Sequence, residues 1–363
     1  MSGTELARAY WADVVRPILE RDLPDVPRAA GRLGTGSDVL GLDDDTSRDH
    51  DWGLRLTLLV PADRTGEVDE LLTAALPAVY RGRPTAFPLT GDPAVRHRIE
   101  VATPDGFVRS RTGLDVGAGP TVPGWLSLTG QSVLEVTAGP VFEDTAGRIT
   151  ALRERLAWYP HDVWLHVLAA DWTRVGQELP FVGRTGQRGD ALGSRLIAAR
   201  LVTALVRLGF LLERRWPPYP KWAGTLFGRL PVASAVHPHV GAALASPTWQ
   251  ARDAALRAAC EALHERQRAV GLPTLDGPAC EDFYDRPFTG LRDGVAGTLR
   301  GAITDPQVRA LSHRGGIEQW VDDVGTLTDA DLRGRLAQVL VDGRARAVGP
   351  APVGLVRPSG AQG

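Results

Sequence analysis

The sequence predicts an α+β fold: a small mixed sheet with flanking helices, followed by a mostly α-helical part. Three observations predict it. Over the first 150 residues helix-type and strand-type hydrophobic patterns alternate, and beyond about residue 150 the spacing is helical almost throughout. The chain is 363 residues long, with 43% hydrophobic and 23% charged residues, enough to bury two cores and too apolar for wholesale disorder.

Leu6, Tyr10, Val14 and Ile18 recur at four-residue steps and predict a helix over 6–20. A glycine-rich stretch follows over 31–41, then an aspartate cluster over 43–51. Residues 54–60 form a β-type run closed by Pro61. Thr65-Gly66-Glu67 opens a helix expected to reach Tyr80, with Leu71, Leu72, Ala75 and Val79 along one side. Residues 99–102 and 132–137 are expected to be further strands. Helices are expected over 149–158, 163–177, 192–215 and 248–270 and from Val308 onward, with Asp190 as the N-cap of the third. The expected division is a first domain over 1–150, a helical second domain over 151–347, and a disordered tail over 348–363 rich in Pro, Gly and Ala.

Composition excludes several classes. A net charge of −2 argues against binding nucleic acid or a membrane surface through bulk charge. The apolar stretch over 201–212 is broken by Arg207, so no membrane span is expected. The N-terminus carries Glu5 and no basic-then-apolar pattern, so the chain is expected to stay in the cytoplasm. Cys260 and Cys280 are too few to staple this fold and suit a reducing compartment. Among the 41 basic residues there is one lysine, Lys221, and there is no asparagine. GC-rich coding bias accounts for that; so does a site needing an ammonium that arginine's planar fork cannot imitate.

The window that carries chemistry is Gly34-Thr35-Gly36-Ser37, followed by Asp49-His50-Asp51 just before the β-run. A Gly-Ser turn lets backbone amides and a hydroxyl approach a phosphate with no side-chain wall between. Two aspartates one residue apart on a strand would point the same way. Beside a phosphate cradle they would bind magnesium, with phosphate oxygens completing the shell. Asp43, Asp44 and Asp45 are expected in the loop rather than on the metal, and Arg48 is a candidate to neutralise the cluster. An EF-hand loop counted from Asp43 fails, because Arg48 stands where glycine is needed and Leu54 where glutamate is needed.

These residues resemble the polymerase-beta-type nucleotidyltransferase superfamily, whose signature is a Gly-Ser pair followed by Asp-x-Asp. Residues 36–41 and 47–53 look like a bacterial family of nucleotidyltransferase-like proteins long labelled a domain of unknown function. That likeness extends to Pro218-Tyr219-Pro220-Lys221-Trp222 and to residues 283–288. The resemblance implies a third carboxylate on a later strand. Glu100 falls in that order, a glutamate where the superfamily often has aspartate, and Glu135 is the reserve candidate. It further implies that Gly36 and Ser37 hold a triphosphate and that Asp49, Asp51 and Glu100 hold two magnesium ions. The expected reaction moves a nucleoside monophosphate, AMP from ATP first, to a hydroxyl of a small-molecule acceptor, releasing pyrophosphate. The alternatives are a protein-modifying, antitoxin-like adenylyltransferase and a non-catalytic nucleotide-binding module. Nucleic acid is not an expected partner, for want of a basic stripe.

Lesser signals remain. Residues 183–190 carry Arg184 and Arg188 ahead of a helix; they are either a phosphate-wrapping loop or an interhelical turn, and they lack the P-loop ending. Prolines make 217–222 an extended segment, from which Lys221 would contact the triphosphate and Tyr219 or Trp222 would stack on a base, unless it is a packed interdomain loop. His237 and His239 lack zinc partners at ligand spacing, and Ser37 lacks the Gly-x-Ser-x-Gly elbow of a hydrolase.

Overall fold

The computed structural model describes residues 1–44 and 51–342. The expected metal ligand Asp49, with Asp45 and Arg48, and the tail over 348–363 lie outside the described residues.

The chain opens with α1 (Gly3–Tyr10), held by a reciprocal capping box between Ser2 and Glu5, and passes through a π-helical turn (Trp11–Val15) into α2 (Arg16–Asp22). β1 (Ala29–Gly31), β2 (Arg55–Leu59) and α3 (Thr65–Ala75) follow. Then come the ribbon β3 (Val79–Tyr80) and β4 (Arg83–Pro84), and the hairpin β5 (Ala86–Leu89) and β6 (Asp92–Ala102). Helices α4 (Pro104–Thr112), α5 (Val122–Ser127) and α6 (Gly130–Thr137) lead to β7 (Val141–Asp144) and α7 (Arg148–Arg155). The remainder is mostly helical. It holds α8 (His161–Gln187), α9 (Ala191–Leu212), α10 (Pro220–Phe227), α11 (Ala233–Ala245) and α12 (Trp249–Ala269). A hairpin of β8 (Cys280–Asp282) and β9 (Thr289–Leu291) precedes α13 (Gly294–Gly301), α14 (Pro306–Arg309), α15 (Val324–Thr328) and α16 (Ala330–Asp342).

The expected α+β composition is present. Five strands form one mixed sheet in the order β5-β6-β2-β1-β7, with β2 and β6 parallel and the other pairs antiparallel. Alternation sorts the side chains of β2 onto two faces. Leu56 and Leu58 join Ala30 and Ile99 in a core closed by Leu6, Tyr10, Trp11, Val15 and Leu19 of the N-terminal helices and by Val68 and Leu72 of α3. Arg55, Thr57 and Leu59 take the opposite face. Leu59 and Ala29 belong to a second core, shared with Phe107 of α4, Val133 of α6 and the buried side chains of α8, α9 and α12. The polar residues of β2 therefore face α4 and α6.

Three expectations change. Residues 132–137 are helix α6, not a strand. Thr129 and Ser132 cap each other's backbone amides there, a local signal that overrides the β-branched residues which follow. Helix α3 stops at Ala75, where Leu76 turns extended ahead of Pro77, and Val79 and Tyr80 pair in β3 instead of continuing the helix. The extended Pro segment ends at Tyr219, because Pro220 stands in the first turn of α10; Lys221 and Trp222 are thus helical. No helix among the described residues is long and apolar enough to cross a membrane.

Helix α8 runs through Gly183 and Gly186 to Gln187, so the glycines expected in a loop before α9 lie in its last turns. Asp190 does cap α9, accepting from the Gly193 amide at 2.7 Å. Both glycines serve packing. A Cβ on Gly183 would meet the Phe288 ring carbon Cγ at 2.5 Å, and one on Gly186 would meet Trp249 Cγ at 2.2 Å. Gly183→Ala is expected to destabilise the fold by about 1–3 kcal/mol in denaturant unfolding, although alanine is the better helix former.

Candidate functional site

The turn after β1 is built by one buried arginine. Arg32 is 3% exposed and forks onto Asp38, which is 6% exposed, with Nε 2.7 Å from Oδ2 and Nη2 2.8 Å from Oδ1. Its remaining donors bind the carbonyls of Leu33 (2.7 Å) and Thr35 (2.9 Å). Gly34 (φ +81°) and Gly36 (φ +137°) supply the left-handed backbone that lets the chain wrap round the guanidinium. A Cβ on Gly36 would fall 2.5 Å from Arg32 Nη2. The Gly34 amide is anchored on the Glu135 carbonyl at 2.7 Å.

With its carbonyls drawn inward, the turn keeps its donors uncommitted. The amides of Thr35, Gly36, Ser37 and Asp38 and the half-buried Ser37 hydroxyl donate to no acceptor among the described residues. Successive unengaged amides in a glycine turn are an anion cradle.

Side chains from three elements gather beside this turn. Glu100 of β6 lies opposite Thr57 in the parallel register. A Cβ placed on Gly34 would lie 3.8 Å from Glu100 Oε2 and 3.3 Å from Arg111 Nη2. Arg111 of α4 sets Nη2 at 2.7 Å from both oxygens of Glu100, and its Nε stands 3.4 Å from Glu135 Oε2. Arg55 of β2 donates to Thr35 Oγ1 at 3.0 Å and to the Asp51 carbonyl at 3.2 Å. Burial, then the neighbouring Arg32, push Arg55 down to about 10, while Asp38, Asp51 and Glu100 act in the opposite sense. Burial raises the Glu135 carboxyl, opposed by its hydrogen bond from Gln131 and by Arg111.

Gly36, Ser37, Asp51 and Glu100 are therefore grouped around Arg55 and Arg111. The aspartate that was expected on a strand is not on one: Asp51 precedes β2 in a left-handed bend (φ 53°), and its Oδ1 accepts from the Thr90 amide at 2.6 Å. Asp49 lies outside the described residues, and among those described no group of three or more His, Cys, Asp or Glu is placed to hold a metal. Glu135, on a helix rather than a strand, reaches the same arginine as Glu100, so both candidates for third carboxylate meet there. The Tyr219 amide contacts Gln131 Oε1 (3.3 Å), and Gln131 Nε2 donates to Glu135 Oε1 (3.2 Å). That relay brings the Pro-Tyr-Pro segment to the site. Lys221 is exposed, with Nζ 5.0 Å from the Trp222 ring centroid and no hydrogen bond or ion pair to a described residue. Arg184 lies over Phe181 at 5.9 Å, on α8. His237 and His239 sit on α11. Sequence reasoning missed Arg32, Arg55 and Arg111. The signal for the last was Thr103-Pro104, an N-cap and first-turn proline that start α4 directly after β6.

Helix α6 is fixed from behind by a buried charge cluster. Glu318 Oε2 accepts from the Gly130 amide in the first turn of α6 at 3.0 Å. Arg207 donates to the Glu318 carbonyl (3.0 Å) and pairs with Asp171, Nε to Oδ2 at 2.8 Å. Burial pushes the Glu318 carboxyl up to about 7, helped by Asp171 and opposed by the Gly130 amide, Arg207 and Arg333. Its folded-state value exceeds the ordinary 4.5, so its stabilising contribution is full below about 4.5 and lost as pH rises through about 7. Glu318→Gln keeps the acceptor for Gly130 and removes the charge. Relative to wild type, unfolding free energy of this variant should rise between pH 5 and pH 8 by on the order of 3 kcal/mol. Asp38→Ala strands the buried Arg32 and should cost about 3–5 kcal/mol in denaturant unfolding.

Over residues 125–223 the chain is similar to a family described as a domain of unknown function (DUF4037). The matched stretch contains α6 with Glu135 and the Tyr219–Lys221 segment. No curated protein matches the chain. Among solved structures, the chain is similar to a nucleotidyltransferase-like protein from Exiguobacterium sibiricum 255-15, at 15% identity and a TM-score of 0.33, over 71% of this chain and 76% of that one.

Proposed function

We propose that this protein is a magnesium-dependent nucleotidyltransferase that moves a nucleoside monophosphate, AMP from ATP first, to a hydroxyl of a small-molecule acceptor. The observation that carries the reading is the run of uncommitted amides from Thr35 to Asp38, flanked by Arg55, Arg111 and Glu100. An anion cradle with cations on its rim suits a polyphosphate. A carboxylate at the same place suits the cation that travels with it.

The donor set fits magnesium. Asp51 and Glu100 offer hard oxygens, and both oxygens of Glu100 bracket a cationic nitrogen at 2.7 Å. Asp49, two residues before Asp51 in the sequence, would be the third carboxylate under this reading. Bound there, magnesium would neutralise the polyphosphate and lower the pKa of the attacking hydroxyl. The chain's own part is positional. The 35–38 amides and the Ser37 hydroxyl would hold the polyphosphate, and Arg55 keeps Thr35 and the Asp51 backbone in register. Glu100 would assist the second metal or, as base, take the proton of the acceptor hydroxyl as pyrophosphate leaves. Tyr219 and Lys221, on the segment tied to Gln131, would meet the base or the acceptor under this reading.

With ATP labelled at the α-phosphate and magnesium, the purified chain is expected to release pyrophosphate and transfer label to a small molecule from a metabolite pool. Asp51→Asn and Glu100→Gln should each lower that rate by about 100-fold or more. Full activity in an Asp49→Ala, Asp51→Ala double variant would sink the site assignment. Label found on protein instead would favour the protein-modifying alternative.

A further inference from the structure

Among the described residues, Arg111 is the side chain that touches both candidate third carboxylates. A single nitrogen, Nη2, sits 2.7 Å from each oxygen of Glu100, the place a small cation would take on that carboxylate. The other end of the guanidinium, Nε, faces Glu135 at 3.4 Å. The two carboxylates differ in setting. The Glu100 side chain is 41% exposed and Glu135 only 16% exposed, and the second oxygen of Glu135 is held by Gln131. The plane of Arg111 rests on the Phe107 ring at 4.9 Å, and its Nη2 is the nearest side-chain atom to the open side of Gly34. Among the described residues Nε donates no hydrogen bond, so the buried end of Arg111 is held by the charge of Glu135 and by the Phe107 ring. Nη1 donates to Ser110 Oγ at 3.1 Å, and Nη2 is held by the exposed carboxylate of Glu100 beside the 34–38 turn.

We infer that Arg111 and a divalent cation compete for Glu100, and that the guanidinium displaced by the cation becomes a ligand of the bound polyphosphate. The inference rests on the nucleotidyltransferase reading. The physical argument is charge and shape. A carboxylate cannot keep a guanidinium and a divalent ion on the same two oxygens, since the cations repel at contact distance. The compact, hard ion takes the oxygens. Nε stays beside the Glu135 charge while Nη1 leaves Ser110 Oγ and, with Nη2, turns toward Gly34, where a polyphosphate offers paired oxygens to a planar fork. Glu135 is then the pivot of this arginine rather than a metal ligand, and Glu100 is the exchanging partner. No bond is made or broken in the exchange.

The test is calorimetric, on the full chain, with two probes: manganese(II) alone, and inorganic triphosphate titrated as its manganese complex into protein saturated with manganese(II). Arg111→Gln is expected to tighten manganese and weaken triphosphate, each by about tenfold or more. Arg111→Lys keeps the charge without the fork; it should bind triphosphate more tightly than the glutamine variant and controls for loss of fold alongside the thermal midpoint. Three results would overturn the inference: unchanged affinities in Arg111→Gln, weaker manganese in that variant, or triphosphate binding in the lysine variant no better than in the glutamine variant. If wild type binds manganese and loses it in Glu100→Gln, the metal site survives such a failure. If wild type binds neither probe, the nucleotidyltransferase reading falls and the inference with it.

Discussion

The fork of Arg32 on Asp38 is the interaction from which the rest of the site follows. One guanidinium spends its donors on a carboxylate and on the carbonyls of Leu33 and Thr35, all in the interior. The peptide units so held must present their amides elsewhere, and the left-handed glycines at 34 and 36 make that geometry accessible. A buried pair of this kind seldom adds net stability over an apolar substitute, but it fixes one arrangement of the backbone. Here the arrangement leaves donors without partners among the described residues, in a place where cations from β2 and α4 also converge. A neutral turn of the same length would have satisfied its own amides.

Much of this was legible in the sequence because it is local. The Gly-Ser turn, the alternating run over 54–60, the N-cap at Asp190 and the order strand, helix, strand that singles out Glu100 each depend on neighbours a few residues away. The parts that were not legible depend on contacts across the chain. Arg111 becomes meaningful only when α4 folds back beside β6. Gly183 looks like a loop residue until Phe288, far along the chain, is seen to need its space. Residues 132–137 looked like a strand because Val133, Val136 and Thr137 are β-branched, yet the capping box at Thr129 and Ser132 decided for helix. The Asp-x-Asp spacing implied a strand at Asp51, where the backbone bends left-handed instead.

The helical residues beyond 150 bear on the site through one short element that precedes them. Helix α6 presents Glu135 and Gln131 on its free side, and its first turn is pinned on the other by Glu318 and by Pro217, whose carbonyl would lie 2.1 Å from a Cβ on Gly130. Glycine is required there because two backbones touch. The same contact sets the Tyr219 segment against Gln131, so a displacement of α9 or of the 317–319 turn would be felt at Glu135. The buried Arg207–Asp171 pair, which ties α8 to α9 and to the Glu318 carbonyl, resists that displacement.

The parallel pairing of β2 with β6 has a kinetic consequence. Glu100 takes its place opposite Thr57 only after α3, the β3–β4 ribbon and β5 have been laid down between the two strands. Pairings that close such long crossovers form late and slowly, because the entropy of closure is lost before the contacts compensate for it. A slip of one residue in β6 would turn the carboxylate to the other face, into the core under the N-terminal helices. The Glu100 carboxylate beside the 34–38 turn is therefore among the last features a newly made chain acquires. A partly folded molecule would carry the 34–38 turn before it carried the acid beside it.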